Sequence, residues 1–280
     1  MLSPLIITFR ETLEAALVVG IVLAYLEKTK QTRFNAAVYL AIASAIVASV
    51  LAAVAFETVA GGFEGRSEEL FEGVTMLLAA ALLTTMILWM GKQKHVREEL
   101  ERKVGAEVGE EHRFGIFMLV FLSVLREGVE TVIFLGATGF RAESGALGNL
   151  VGGIVGVVLA LAVGFLLFVQ SRRLDIRKFF QATSILLILF AAGLVAHGVH
   201  ELSEAGVLPS IVEHVWDINP PVNSDGSYPL LHENGLLGGL AKDLLGYNGN
   251  PSLLEVASYV LYLAFVSVLF KNIDRLHKVI

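Results

Sequence analysis

The chain reads as a succession of long apolar stretches separated by short polar ones. A helix that crosses a bilayer needs roughly 20 mostly apolar residues. Seven stretches meet that requirement: Leu5–Leu26, Phe34–Phe56, Gly73–Gly91, Phe114–Thr138, Gly145–Gln170, Phe179–His200 and Ser252–Phe270. Phe34–Phe56 and Ser144–Ser171 contain no charged residue. The pattern predicts an all-α polytopic membrane protein with seven transmembrane helices. The first stretch lacks the basic start of a signal peptide and carries Glu11 and Glu14 where an apolar core belongs, so it is expected to stay as a span.

Composition agrees. Of 280 residues 55% are hydrophobic and 17% charged, and the mean hydropathy is +0.70. Soluble domains average about 25% charged residues, so a soluble two-domain enzyme is disfavoured. With 6 Pro and no Cys, collagen, disorder and a disulfide-stapled module are excluded.

Charge gives orientation. Sixteen of the 21 Lys and Arg lie after spans one, three, five and seven, among them Lys28, Lys92, Arg102, Arg172, Lys178 and Lys271. The alternate side carries Arg66, Arg141 and Lys242, and Arg10 and Arg126 lie inside spans. The positive-inside rule then puts the N-terminus outside and the C-terminus inside. Acids crowd the outer connections: Glu57, Glu64, Glu68, Glu69 and Glu72 in one, and Glu204, Glu213, Asp217, Asp225, Glu233 and Asp243 in the long segment 203–251. Such a face concentrates cations, and it is also what remains once basic residues are kept inside.

The charges within spans carry the chemistry. Arg10-Glu11-Thr12-Leu13-Glu14 and Arg126-Glu127-Gly128-Val129-Glu130 both read R-E-x-x-E. An ionised group at the bilayer centre costs about 2.5–3.5 kcal/mol even on the lenient insertion scale, so these six must pair or face the interior. Helical spacing allows it: positions i, i+3 and i+4 share a face. Each Arg can brace the second Glu of its motif while the carboxylates point inward. Four carboxylates from two helices suit a hard cation. The plain alternative is a pair of structural Arg–Glu clasps. The motif recurs in spans one and four, which start on opposite sides. Spans one to three (about 1–91) and four to six (about 114–202) are therefore expected to be an inverted repeat, with the site at the repeat interface. Span seven (252–271) stands outside the repeat, and the whole chain is expected to be one membrane-embedded domain.

These features resemble the oxidase-dependent high-affinity iron permeases, a family that includes the fungal ferric permeases and the bacterial Efe-type permeases. Beside the doubled motif, the resemblance rests on "FEGVTMLLAAALLTTMILWM", "AHGVHEL" and "VWDINPPVN…YPLLHENGLLGGL…LLGYNGNPSLLE". It implies iron uptake across the plasma or bacterial inner membrane, with Glu11, Glu14, Glu127 and Glu130 as iron ligands and Arg10 and Arg126 as their ion-pair supports. It also implies an extracytoplasmic oxidase or iron-delivery partner. Iron is expected as the transported substrate, with no organic cofactor and no nucleic-acid partner; lipid and a second copy of the chain are the other candidate partners. A permease for manganese or lead, an intramembrane metalloenzyme, and a scaffold built on the clasps are the alternatives.

Weaker candidates lie outside the motif. His197, His200 and Glu201 share a face at the outer end of span six, and Glu72 begins span three; a route for iron or protons competes there with ordinary helix-end polarity. Ser252-x-x-Glu255 reads as a capping box starting span seven. Gly148, Gly152, Gly156, Ala160 and Gly164 form a small-residue stripe suited to close helix packing. Met76, Met86, Met90 and Met118 read as packing residues. Lys92–His112 is expected to extend span three or to form a surface helix. Glu233–Tyr247 is expected as a short helix on the outer surface, and His214, Asp217 and His232 are weak iron candidates in the same segment.

Overall fold

The computed structural model describes residues 2–90, 96–110, 112–139, 145–169 and 176–276. Within these the chain is all helical: α1 Leu2–Lys28, α2 Asn35–Ala60, α3 Arg66–Met90, α4 Val96–Gly109, α5 Arg113–Gly139, α6 Gly145–Val169, α7 Ile176–Glu204, α8 Leu236–Leu245 and α9 Leu253–Leu276. The seven long helices coincide with the seven apolar stretches. The expected span ends at Gly91 and Gln170 lie outside the described residues, as do Lys92, Lys94, Arg141, Arg172, Arg173 and Lys278.

Among the described residues, four segments are long and apolar enough to cross a membrane: Thr32–Ala60, Arg66–Leu88, Gly148–Leu166 and Ser184–Glu204; Leu253–Leu269 is a shorter apolar helix. Helices α1 and α5 are equally long, but an Arg and two Glu in the middle of each interrupt their apolar character.

The packing interleaves the two halves of the chain. Helix α1 packs most extensively on α6, α2 on α5, and α3 on α7, while α1 also meets α5 and α9 lies on α7. Small residues permit the tightest contacts. A Cβ on Gly156 of α6 would lie 2.4 Å from the Leu5 carbonyl oxygen and 2.9 Å from the Phe9 nitrogen of α1, so only glycine fits. One turn away Thr8 Oγ1 donates a hydrogen bond shared between Pro4 O at 2.8 Å and Gly153 O at 2.9 Å. The small-residue stripe thus serves packing within the bundle. Gly128, inside the second motif, has the matching function on α5: a Cβ there would collide with the Ser49 hydroxyl of α2.

Two apolar clusters flank the level of the motifs. One joins Ile7, Met76, Leu83, Phe134, Leu187 and Leu194 from α1, α3, α5 and α7. The other joins Val22, Leu26, Val38, Val104, Ile116 and Val120 from α1, α2, α4 and α5, each with no exposed surface. Helix α4 docks on this cluster through Val104; residues 91–95, between α3 and α4, lie outside the described residues.

The second short helix departs from expectation. The C-terminal end of α8 is not on the bundle surface but wedged into it. Gly246 adopts φ 71°, and a Cβ there would lie 2.3 Å from Cα of Gly193, midway along α7. Tyr259 of α9 donates to Leu245 O at 2.8 Å. A left-handed helix end packed against a glycine backbone makes glycine necessary at both positions.

Candidate metal centre

The two motifs meet where α1 and α5 pack. Arg10 is buried, 1% exposed, and clamps its own helix: Nη1 lies 2.7 Å from Glu11 Oε1, and Nη2 lies 2.7 Å from Glu14 Oε1. In the second motif Arg126 Nε lies 2.8 Å from Glu130 Oε1. The expected brace from each Arg to the second Glu is present in both. The equivalence of the motifs stops there, because the Arg126 side chain is 50% exposed.

One carboxylate oxygen from each of Glu11, Glu14 and Glu127 lies within 4.8 Å of the others, a spacing that could hold one metal ion. Glu130, turned toward Arg126, stands beside this trio. Glu11 Oε2, Glu127 Oε2 and Glu130 Oε2 are buried and receive no hydrogen bond. A buried carboxylate oxygen without a donor is costly, and several facing one point repel one another. A cation of hard character relieves both penalties. Counting both Arg and all four Glu as ionised, the cluster carries −2, so a divalent ion neutralises it.

Residues 1–275 match the model of the iron permease FTR1 family. The chain belongs to that family. It is 33% identical to the ferrous iron permease EfeU of Escherichia coli O6:K15:H31, covering 96% of this chain and 95% of that protein. It is 32% identical to EfeU of Yersinia pestis over 96% of this chain and 93% of that protein. An uncharacterised protein of Archaeoglobus fulgidus is 35% identical over 98% of this chain and 95% of its own length. No solved structure matches the chain. As a member of the iron permease FTR1 family, the protein is a membrane-embedded iron transporter and not an enzyme.

The weaker candidates gather around one end of this permease bundle. The rings of His197 and His200 are 5.9 Å apart. His200 Nδ1 lies 3.1 Å from Glu255 Oε1, and its Nε2 lies 3.3 Å from Glu204 Oε1. Glu72 lies in the field of Glu68, Glu69 and Glu201, so the start of α3 and the end of α7 share a dense negative charge. Glu255 does form the expected capping box, accepting from Ser252 N at 3.0 Å while Ser252 Oγ accepts from Glu255 N at 3.3 Å. It also accepts from Asn248 at 2.7 Å and is almost fully buried. Its contact with His200 was not legible from the sequence, because the two lie 55 residues apart and only the docking of α9 on α7 joins them. His214 and Asp217 are exposed. His232 accepts from Asn234 N at 3.1 Å and packs on Tyr228. These three are not brought to the carboxylate trio. Met76 and Met86 are buried in the core as expected; the Met90 side chain lies outside the described residues.

Proposed function

We propose that the protein is an iron uptake permease of seven spans, N-terminus outside and C-terminus inside, that binds iron through Glu11, Glu14 and Glu127, with Glu130 as the fourth carboxylate. The observation that carries this is a carboxylate oxygen from each of Glu11, Glu14 and Glu127, on two helices, within 4.8 Å of one another, in a cluster that also holds buried carboxylate oxygens without a hydrogen bond. The long helices α1 and α5 support the count of seven, since their central charges lie together where the two helices pack and each Arg is paired with Glu of its own motif. The pairing of α1 with α6 and of α5 with α2 supports an inverted repeat, because an in-plane two-fold exchanges one contact for the other. The substrate assigned is ferrous iron, in keeping with the divalent charge balance and with the names of the EfeU relatives.

In this reading iron enters past the acidic ends of α3 and α7. Glu72, His197, His200 and Glu201 line that approach. In the same reading the buried cluster of Val22, Leu26, Val104, Ile116 and Val120 lies on the cytoplasmic side and acts as a seal. Release requires that seal to part. Inward movement of a cation is favoured by about 2.3 kcal/mol per charge per 100 mV of membrane potential.

The test is radio-iron uptake into proteoliposomes holding the purified chain alone, with ferrous iron kept reduced by ascorbate or with ferric citrate. Uptake of ferrous iron that is lost in Glu11→Gln and Glu127→Gln is expected. Undiminished uptake in both variants overturns the carboxylate mechanism, and faster uptake of manganese than iron reassigns the substrate. Uptake that appears only with an added extracytoplasmic protein identifies an obligatory delivery partner.

A further inference from the structure

The connection between α7 and α9 opens with an unusual strap. Within residues 211–218 five large apolar side chains are open to the surroundings: Ile211, Val212, Val215, Trp216 and Ile218 are 40 to 63% exposed. In water such a cluster exposes a large apolar area at about 25 cal/mol per Å².

The backbone fixes where this strap lies. Helix α7 ends at a left-handed Gly206, φ 70°, with Val207 N bonded to Leu202 O. The strap then runs beside the root of α9: Val215 N donates to Pro251 O, Ile218 N to Gly249 O, and Leu253 N to Val212 O. The His200–Glu255 contact holds the two helix ends at one level. The strap is therefore stapled within one strand spacing of the root of α9 and does not project away from it. Leu253, bonded to the strap through Val212 O, begins the exposed apolar side chains of α9, which go on through Val260, Leu261, Phe265 and Val268. Glu213, His214 and Asp217 alternate among them and are exposed.

We propose that this strap is an interfacial anchor whose partner is the outer-leaflet lipid, with Trp216 at the headgroup–acyl boundary. Apolar bulk, an indole with one polar edge, and charged groups within reach of water are the composition that this zone favours. The two carboxylates make zwitterionic lipid the fitting surface and anionic lipid an unfavourable one. An anchor there fixes the outer ends of α7 and α9 against the bilayer while other helices move. The proposal rests on the reading that α7 and α9 span the membrane.

The test uses the Trp89→Phe variant, in which Trp216 is the only indole, reconstituted in phosphatidylcholine vesicles carrying a nitroxide quencher at a shallow or a deep acyl position. Because the chain has no Cys, Leu261→Cys labelled with a fluorophore gives a deep reference on α9 in the same vesicles. The expected result is Trp216 quenched severalfold more by the shallow than by the deep label, weakly quenched by aqueous iodide, and the reverse depth order at residue 261. Trp216 quenched by iodide and untouched by either lipid label, with residue 261 still quenched, overturns the anchor. Failure of lipid labels to quench residue 261 instead overturns the spanning reading on which the anchor rests. Stronger shielding of Trp216 in anionic than in zwitterionic vesicles also counts against the proposal.

Discussion

Gly156→Ala is a one-methyl perturbation whose consequences follow from the contact between α6 and α1. The added Cβ would sit 2.4 Å from Leu5 O and 2.9 Å from Phe9 N. Both are main-chain atoms of a helix, so no side chain can swing aside to make room. Restoring an ordinary carbon–oxygen contact of about 3.4 Å requires α1 to retreat by about 1 Å, a small-to-large change that costs roughly 1–3 kcal/mol. Loss of the Thr8 to Gly153 O bond adds about 1 kcal/mol. The displacement matters more than the energy. Glu11 and Glu14 ride on α1, and a 1 Å shift is half the length of a metal–oxygen bond, about 2.1 Å. The variant is expected to be destabilised in a detergent melt and to lose at least tenfold in ferrous uptake by proteoliposomes. Gly153→Ala is the control, since its Cβ meets only Thr8 Cγ2 at an ordinary 3.6 Å; it should retain stability and uptake. Wild-type stability and uptake in Gly156→Ala would refute the reasoning from α1–α6 packing to site geometry.

The two motif arginines are expected to differ. Arg10→Ala strands two carboxylates in the interior and should cost about 3–5 kcal/mol in a denaturation series; Arg126→Ala, which removes a half-exposed guanidinium from one carboxylate, should cost less than half as much. Arg10→Lys keeps the charge but cannot bridge Glu11 and Glu14 through a planar fork, so iron uptake should fall in Arg10→Lys and much less in Arg126→Lys. Ferrous iron at 100 times its dissociation constant should stabilise the wild-type protein by about 2.7 kcal/mol, a gain read as a raised melting temperature that a chelator reverses and Glu127→Gln abolishes. Glu255→Gln keeps the size but weakens acceptance from Ser252 N and the attraction to His200, so it should lower thermal stability by roughly 1–3 kcal/mol while leaving iron affinity at the carboxylate trio unchanged in a titration.

Legibility in the sequence tracked the range of the interactions involved. The long helices were readable because bilayer-length apolar runs are a property of consecutive residues. The Arg-to-Glu braces and the Ser252–Glu255 box were readable because i, i+3 and i+4 geometry is local. Three things were not. The inequality of Arg10 and Arg126 depends on which neighbouring helices cover each guanidinium, and the two five-residue motifs are nearly identical. The close spacing of Glu11, Glu14 and Glu127, with Glu130 held by Arg126 beside them, depends on how two helices meet. The burial of the end of α8 depends on the bare backbone of Gly193, some 50 residues away, which no pattern within 233–247 announces.

The interleaved pairing has a consequence for how the chain is made. Helix α1 finds its main neighbour in α6, and α2 finds its own in α5, so the first three helices contain little of their own packing partner surface. A ribosome adding residues in order delivers α1 well before anything that can bury its polar face. During that interval Arg10, Glu11 and Glu14 must sit in or beside the bilayer without the second half of the protein. The contacts of Arg10 to Glu11 and Glu14 are within its own helix, and so they can form as soon as α1 coils. The clamp therefore matters for assembly: it lets a helix with three charges wait for its partners with most of its charge neutralised from within.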